Sequence, residues 1–336
     1  MFPFANQGRK FFSRTLLSTT ALLGMVTLAS NTAYAVGDFE VPTGGSVVGG
    51  SASISSGGAG VLNVTQHTDR AVINWDSFNI GSKATTEFFQ PGAQSLAVNR
   101  VTSRGSDPTQ ILGTLKSNGQ VMVLDRNGVM FGANSRVDVG GIVASTGDVS
   151  TADVMSGKGK LEFSNFGDGQ IVNNGTITVA DAGIAAFVSP VISNNGVISA
   201  KVGRVGFGAG SKVTLDLYGD GLLEIAVNDK AAKALISNTG IINADGGVIL
   251  MTAQAAKSAV DNVINVGGVV NASSFTSAGG KIVLSGGKQG VVKVTGTVAA
   301  NGGSGGGGSI SVTGQNVAIA NGASLSANAG RGGNGG

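Results

Sequence analysis

Asn173-Asn174-Gly175-Thr176-Ile177-Thr178-Val179 and Asn194-Asn195-Gly196-Val197-Ile198-Ser199-Ala200 are two copies of one pattern, and their reading decides the fold. In each copy a glycine follows a turn and precedes an alternating apolar pair: Ile177 and Val179, then Ile198 and Ala200. The pattern recurs at Gly240 (Ile242, Ala244), Gly268 (Val270, Ala272) and Gly296 (Val298, Ala300), and with one extra residue at Gly322 (Leu325, Ala327). A second strand of the same spacing follows each of the first five. Ala185 and Phe187 come after Gly183, Val205 and Phe207 after Gly203, and Ile249 and Met251 after Gly247. Ile282 and Leu284 come after Gly280, and Ile310 and Val312 after Gly308. Alternation at period two puts one set of side chains on one face of a strand. Short strands with one inward face, repeated every ~20–30 residues, mean a solenoid.

The expected fold is therefore all-β, a right-handed parallel β-helix. Its coils stack at the ~4.8 Å interstrand spacing, and inward Ile, Val, Leu and Phe form a dry column. Each buried side chain contributes roughly 1.5–3 kcal/mol, so a stack is stable where one coil is not. Asn174-Gly175 and Asn195-Gly196 are residue types that accept positive φ at turns. Asn173 and Asn194 occupy equivalent places and are expected to stack as an amide ladder. Residues 212–227 interrupt the column with two apolar runs joined by Tyr218-Gly219-Asp220-Gly221, a hairpin signal. A side β-hairpin is expected there.

Composition agrees. The 336 residues include 57 glycines, with 5% aromatic and 12% charged residues. So low a charge fraction argues against solvated disorder, and high glycine with short Val/Ile patches suits many short strands. The first 35 residues read as an export signal. Arg9, Lys10 and Arg14 precede a short apolar run from Leu16 to Leu28, and Ala33-Tyr34-Ala35 supplies a small-x-small cleavage site before Val36. Taking those three cations from the 22 basic residues leaves the remainder formally neutral against 19 acids. No basic face for nucleic acid is expected, nor a transmembrane segment in the mature chain. There is no cysteine.

Residues 70–146 carry a dense set of motifs. They are Ile73-Asn74-Trp75-Asp76-Ser77-Phe78-Asn79-Ile80-Gly81, Phe89-Gln90-Pro91 and Ala97-Val98-Asn99-Arg100-Val101. Ile111-Leu112-Gly113-Thr114-Leu115, Asn118-Gly119-Gln120-Val121, Asn127-Gly128-Val129-Met130-Phe131-Gly132 and Val139-Gly140-Gly141-Ile142-Val143-Ala144-Ser145-Thr146 follow. This run closely resembles the N-terminal secretion domain of filamentous-haemagglutinin-like and high-molecular-weight adhesins of bacterial two-partner secretion, over about residues 38–290. The resemblance implies a β-helix with an N-terminal cap, recognised by a dedicated outer-membrane barrel transporter. It implies export across both membranes to the cell surface or medium. Family members carry Asn-Pro-Asn-Gly-Ile where this chain has Asp125-Arg126-Asn127-Gly128-Val129. Asn127 and Gly128 carry over; the first Asn and the Pro do not. Asn127 and Gly128, with Asn99 and Arg100, are the expected transporter-contact residues. A plain turn role for Asn127-Gly128 is compatible with that.

The expected organisation is an export signal over 1–35, a secretion domain with cap and first coils over 36–165, and repeat coils over 166–336. In the last coil the chain stops where Ile310 and Val312 would be echoed, so continuation beyond Gly336 is expected.

No catalytic, metal or cofactor constellation is expected. His67 is the single histidine, and spacing ties no Ser or acid to it. Gly302-Gly303-Ser304-Gly305-Gly306 fits G-x-S-x-G, and Gly303 to Gly308 fits G-x-G-x-x-G, both without a following helix. Gly307 stands where a calcium nonapeptide needs Asp. Asp216, Asp220, Glu224 and Asp229 read as a solvated hairpin, and Trp75 as core packing. The favoured function is thus the secretion-directing domain of a large exported adhesin whose receptor is unknown. The alternative is the stalk of a polysaccharide-active enzyme or contact-dependent toxin whose effector lies beyond residue 336.

Overall fold

The computed structural model describes residues 35–103, 105, 107–216, 226–229, 234–254, 262–276, 279–330 and 333–336. Within them the chain winds into a parallel β-helix with three faces. A ten-stranded sheet runs from Ser46–Gly49 to Ser309–Thr313, an eleven-stranded sheet from Ala52–Gly58 to Ser324–Ser326, and an eight-stranded sheet from Thr109–Ile111 to Asn316–Ile319. The two N-terminal edge strands pair antiparallel, Ser46–Gly49 on Arg70–Trp75 and Ala52–Gly58 on Val61–Gln66. Together they cap a column whose other rungs are parallel.

Each full coil therefore has three strands, one more than the repeat shows. The extra strand is Gln170–Asn173, Val191–Asn194, Leu235–Asn238, Asn262–Val266 or Val291–Val294 in successive coils. It precedes the glycine used for alignment and is short, so it reads as turn. Gly128–Phe131 pairs in register with Gln170–Asn173, which makes the ladder continuous across residue 165.

Inward residues follow the expected parity. Ile177, Ile198, Ile242, Val270 and Val298 are enclosed along one face, as are Val205, Ile249 and Ile282 along another. Phe207 is buried and stacks on Phe187 at 5.2 Å. Phe187 in turn meets Phe131 edge-on at 6.4 Å. The amide ladder is present and one rung longer than expected: Asn173 Nδ2 donates to Asn194 Oδ1 and Asn194 Nδ2 to Asn238 Oδ1, both at 2.7 Å.

The repeat glycines have a different cause from the one expected. Gly175 and Gly196 do not have positive φ. A Cβ on Gly196, Gly240, Gly268 or Gly296 would lie 2.1 Å from the carbonyl oxygen of the preceding coil's glycine. Gly203, Gly247, Gly280 and Gly308 form a second column with the same clash at 2.0–2.5 Å. Close stacking of turn on turn, and not backbone handedness, demands glycine here.

The ten-stranded sheet is also buried on its outer face, which one-sided alternation does not anticipate. Gln120–Leu124, Gly141–Ser145 and Ile184–Val188 are enclosed at every position. Val72, Leu96, Val98, Met122, Leu124, Val143 and Val188 point outward into a second apolar cluster with Val149, Val154, Leu161, Phe163, Val213 and Leu215. The covering comes from a short helix, Thr151–Ser156, and a three-stranded antiparallel sheet. Ser150 caps the helix, its side chain accepting from Asp153 N, and Gly157 ends it at φ 72°. In the small sheet Lys212–Asp216 lies between Lys160–Phe163 and Ala226–Asp229. The expected hairpin is thus the antiparallel pair 212–216 and 226–229; its turn, with Tyr218, Asp220 and Glu224, lies outside the described residues. The partner strand 160–163 was not anticipated. Continuous apolar runs such as Val121-Met122-Val123-Leu124 are the sequence signal for it, since a strand buried on both faces loses its alternation.

Candidate functional site

Strands Leu96–Val101 and Gln120–Leu124 are neighbours in the ten-stranded sheet. Past Leu124 the chain turns through Asp125-Arg126-Asn127-Gly128, closed by Gly128 N donating to Asp125 O at 3.0 Å. Gly128 has φ 120°, and a Cβ there would also meet Gln170 O at 2.7 Å, so both handedness and space call for glycine. Asp125 knits the turn to its surroundings. Its Oδ2 accepts from Thr109 N at 2.9 Å and Thr109 Oγ1 at 2.8 Å, and its Oδ1 accepts from Asn127 N at 2.9 Å. Burial pushes its carboxyl above the usual range, against these three hydrogen bonds, which pull it down. Asn127 Nδ2 donates to Gly105 O at 2.8 Å, tying the turn to the 101–109 loop.

Arg100 reaches across the sheet end. Its Nε donates to Asp148 Oδ1 at 2.7 Å, Nη2 to Val149 O at 2.7 Å, and Nη1 to Thr151 Oγ1 at 3.2 Å and Asn74 Oδ1 at 3.4 Å. One guanidinium thereby holds the start of the covering helix. Arg100, Asp125, Arg126, Asn127, Asp148 and Asp168 line a cleft of about 800 Å³. A neighbouring cavity of about 490 Å³ shares Val101, Ser103, Gly105 and Asp125 with it.

Of the four residues expected to contact a transporter, Arg100 and Asn127 therefore meet in one cleft. Gly128 is buried under the turn. Asn99 is fully enclosed: it accepts from Trp75 Nε1 at 3.0 Å and donates to Ala97 O and Met122 O. In the folded domain Asn99 serves as the polar partner of the buried indole.

Sequence reasoning missed a second assembly. Gln90 Nε2 donates to Gln66 Oε1, Ser95 O and Gln120 O, and its Oε1 accepts from Ser117 Oγ. Asn118 clamps the Gln90 backbone from both sides, its Oδ1 accepting from Gln90 N and its Nδ2 donating to Gln90 O. The motifs Phe89-Gln90-Pro91 and Asn118-Gly119-Gln120 meet in this buried amide network at a coil corner. No spacing in the sequence links them, because the contact is made only when one coil stacks on the next.

The remaining candidates are weak chemically. Ser53 Oγ sits 2.9 Å from His67 Nε2, a pairing that sequence spacing did not suggest. Both residues are exposed, and among the described residues no carboxylate bonds the other ring nitrogen. Ser304 Oγ donates to Thr276 O on an exposed glycine-rich turn. Among the described residues no group of His, Cys, Asp and Glu converges as a metal site, and no helix is long and apolar enough to cross a membrane.

Comparison with known proteins matches these features. The model of the TPS secretion domain family fits residues 39–306. A heme/hemopexin-binding protein of Haemophilus influenzae strain Rd is 32% identical over 252 residues, 73% of this chain and 27% of that protein. A second Haemophilus influenzae protein of that description is 30% identical over 284 residues, 78% of this chain and 30% of its own length. The chain thus spans under a third of these curated relatives. The crystal structure of the HMW1 secretion domain from Haemophilus influenzae superposes with a TM-score of 0.77 at 31% identity, covering 87% of this chain and 75% of that one. That of the filamentous hemagglutinin secretion domain gives 0.51 at 16% identity over 86% and 99%, a likeness of fold. Proteins of this family are secreted across the outer membrane to the cell surface or extracellular space. The capped three-faced β-helix and the family match over residues 39–306 establish that this chain belongs to the TPS, or two-partner secretion, domain family.

Proposed function

We propose that this domain directs export of a longer adhesin- or haemagglutinin-like protein by engaging a partner outer-membrane barrel transporter, and that the cleft of Arg100 and Asn127 is part of the contact. The observation that carries the reading is the convergence of the retained Asn-Gly turn and Arg100 on one open cleft within a TPS domain. That cleft offers both signs of charge and an amide side chain, groups suited to hydrogen bonding with polypeptide. We read the domain as non-enzymatic: the exposed Ser53–His67 pair lacks an orienting acid among the described residues. The binding named for the Haemophilus relatives is not part of this reading. The single histidine is bonded to Ser53 and the single tryptophan is enclosed.

The export signal is removed by cleavage between Ala35 and Val36; N-terminal sequencing of exported protein should read Val36 first. The test of the cleft is Asn127→Ala, assayed for secretion beside the partner barrel. The substitution removes one exposed bond to Gly105 O and leaves the Asp125–Gly128 turn closed. Secretion should fall several-fold while the purified domain melts as wild type. Secretion at the wild-type rate with normal folding would remove Asn127 from the contact.

A further inference from the structure

The outer face of the ten-stranded sheet is covered by chain that the solenoid itself does not need. The inward column forms one apolar cluster, and the outward residues with their covering form another. No residue is shared between them. The covering is assembled from two insertions far apart in sequence. Residues 148–163 follow the strand Gly141–Ser145, and Lys212–Asp216 follows Arg204–Ala209, two coils later. They join each other by antiparallel pairing, Leu161 opposite Leu215 and Phe163 opposite Val213. The polar fastening that ties the 148–151 end to the sheet is the Arg100 guanidinium, through Asp148, Val149 O and Thr151. Two surface ion pairs, Lys160–Asp216 at 3.8 Å and Lys212–Glu162 at 2.8 Å, hold strand to strand and not strap to sheet.

We infer that residues 148–163 with Lys212–Asp216 form a strap that opens and closes as one unit over the intact β-helix, latched by Arg100. Opening costs the strap its contacts with Val72, Leu96, Val98, Met122, Leu124 and Val143 but breaks no rung of the parallel ladders. Closing requires the second insertion, since among the described residues Lys160–Phe163 has no strand partner other than Lys212–Asp216. The strap thus converts an apolar sheet face from exposed to enclosed after the coils beneath have stacked.

Hydrogen exchange on the mature chain tests this without mutation. Amides of Lys160–Phe163 bonded to Lys212–Asp216 should exchange at least 100-fold faster than those of Ile177, Ile198 and Ile242. Their exchange should depend only weakly on urea, the mark of a local opening. The chain has no cysteine, so Gly49→Cys with Met155→Cys gives a clean lock; a Cβ at Gly49 would lie 3.4 Å from Met155 Cγ. Oxidation should raise strap protection at least tenfold, lower binding of the dye bis-ANS, and leave the coil amides unchanged; reductant should reverse all three. Asp148→Asn should raise strap exchange while the coil amides stay as in wild type. Strap and coil amides exchanging at one rate with one urea dependence would overturn the inference. So would a lock that protects both equally.

Discussion

Gly240→Ala tests the stacking argument at one atom. The new Cβ would lie 2.1 Å from Gly196 O, 2.6 Å from Asn195 C and 2.8 Å from Asn195 O. All three are backbone atoms, so no side chain can turn aside, and the first contact is more than an ångström too short. The same Gly196 oxygen accepts the rung hydrogen bond from Ile241 N at 2.9 Å, so moving away stretches the ladder. Overpacking of this kind costs about 1–3 kcal/mol, and a weakened rung hydrogen bond adds about 1 kcal/mol. Against this, alanine restricts the unfolded chain, a gain of about 0.4–1 kcal/mol where φ is ordinary. The net expectation is a loss of about 1–4 kcal/mol. Gly92→Ala is the matched control, because nothing lies within 4 Å of its Cβ and its φ is not positive; it should be neutral or slightly stabilising. Urea unfolding, followed by the fluorescence of the single buried tryptophan, Trp75, and by far-ultraviolet circular dichroism, measures both. Two probes are needed because long repeat arrays can unfold in parts. If Gly240→Ala falls within a few tenths of a kcal/mol of Gly92→Ala, close turn stacking is not what these glycines are for.

Two further outcomes are expected. Asn194→Ala removes the middle rung of the buried ladder and leaves Asn173 Nδ2 and Asn238 Oδ1 without their partner, a loss of about 2–4 kcal/mol. Asn195→Ala removes three exposed bonds, to Asn174, Thr239 and Ser193, and should cost under about 1 kcal/mol; equal losses in urea melts would contradict the role of burial. Asp125 has a folded-state pKa above its unfolded value, so the folded protein binds that proton more tightly. Its charged form is therefore a burden that grows as pH rises from the ordinary carboxylate value through the raised one. Across this window wild type should lose stability relative to Asp125→Asn, with no change in the difference at lower pH. A difference that moves the other way in urea midpoints would reverse the assignment.

The sequence by itself determined two of the three strands in each coil. Period-two alternation after Gly175, Gly196 and Gly240 names inward residues because a strand's side chains alternate regardless of what surrounds it. The cap and the family were legible in the motifs between Ile73 and Thr146. Tertiary structure alone decided three things. It revealed that glycine columns exist because turns stack carbonyl against Cα, a distance between coils that no local φ preference encodes. It joined residues 148–163 to 212–216, whose antiparallel pairing depends on two coils lying between them. And it separated the site candidates: Asn99 and Arg100 are adjacent in sequence, but pleat parity sends Asn99 in to Trp75 and Arg100 out to Asp148 and the cleft.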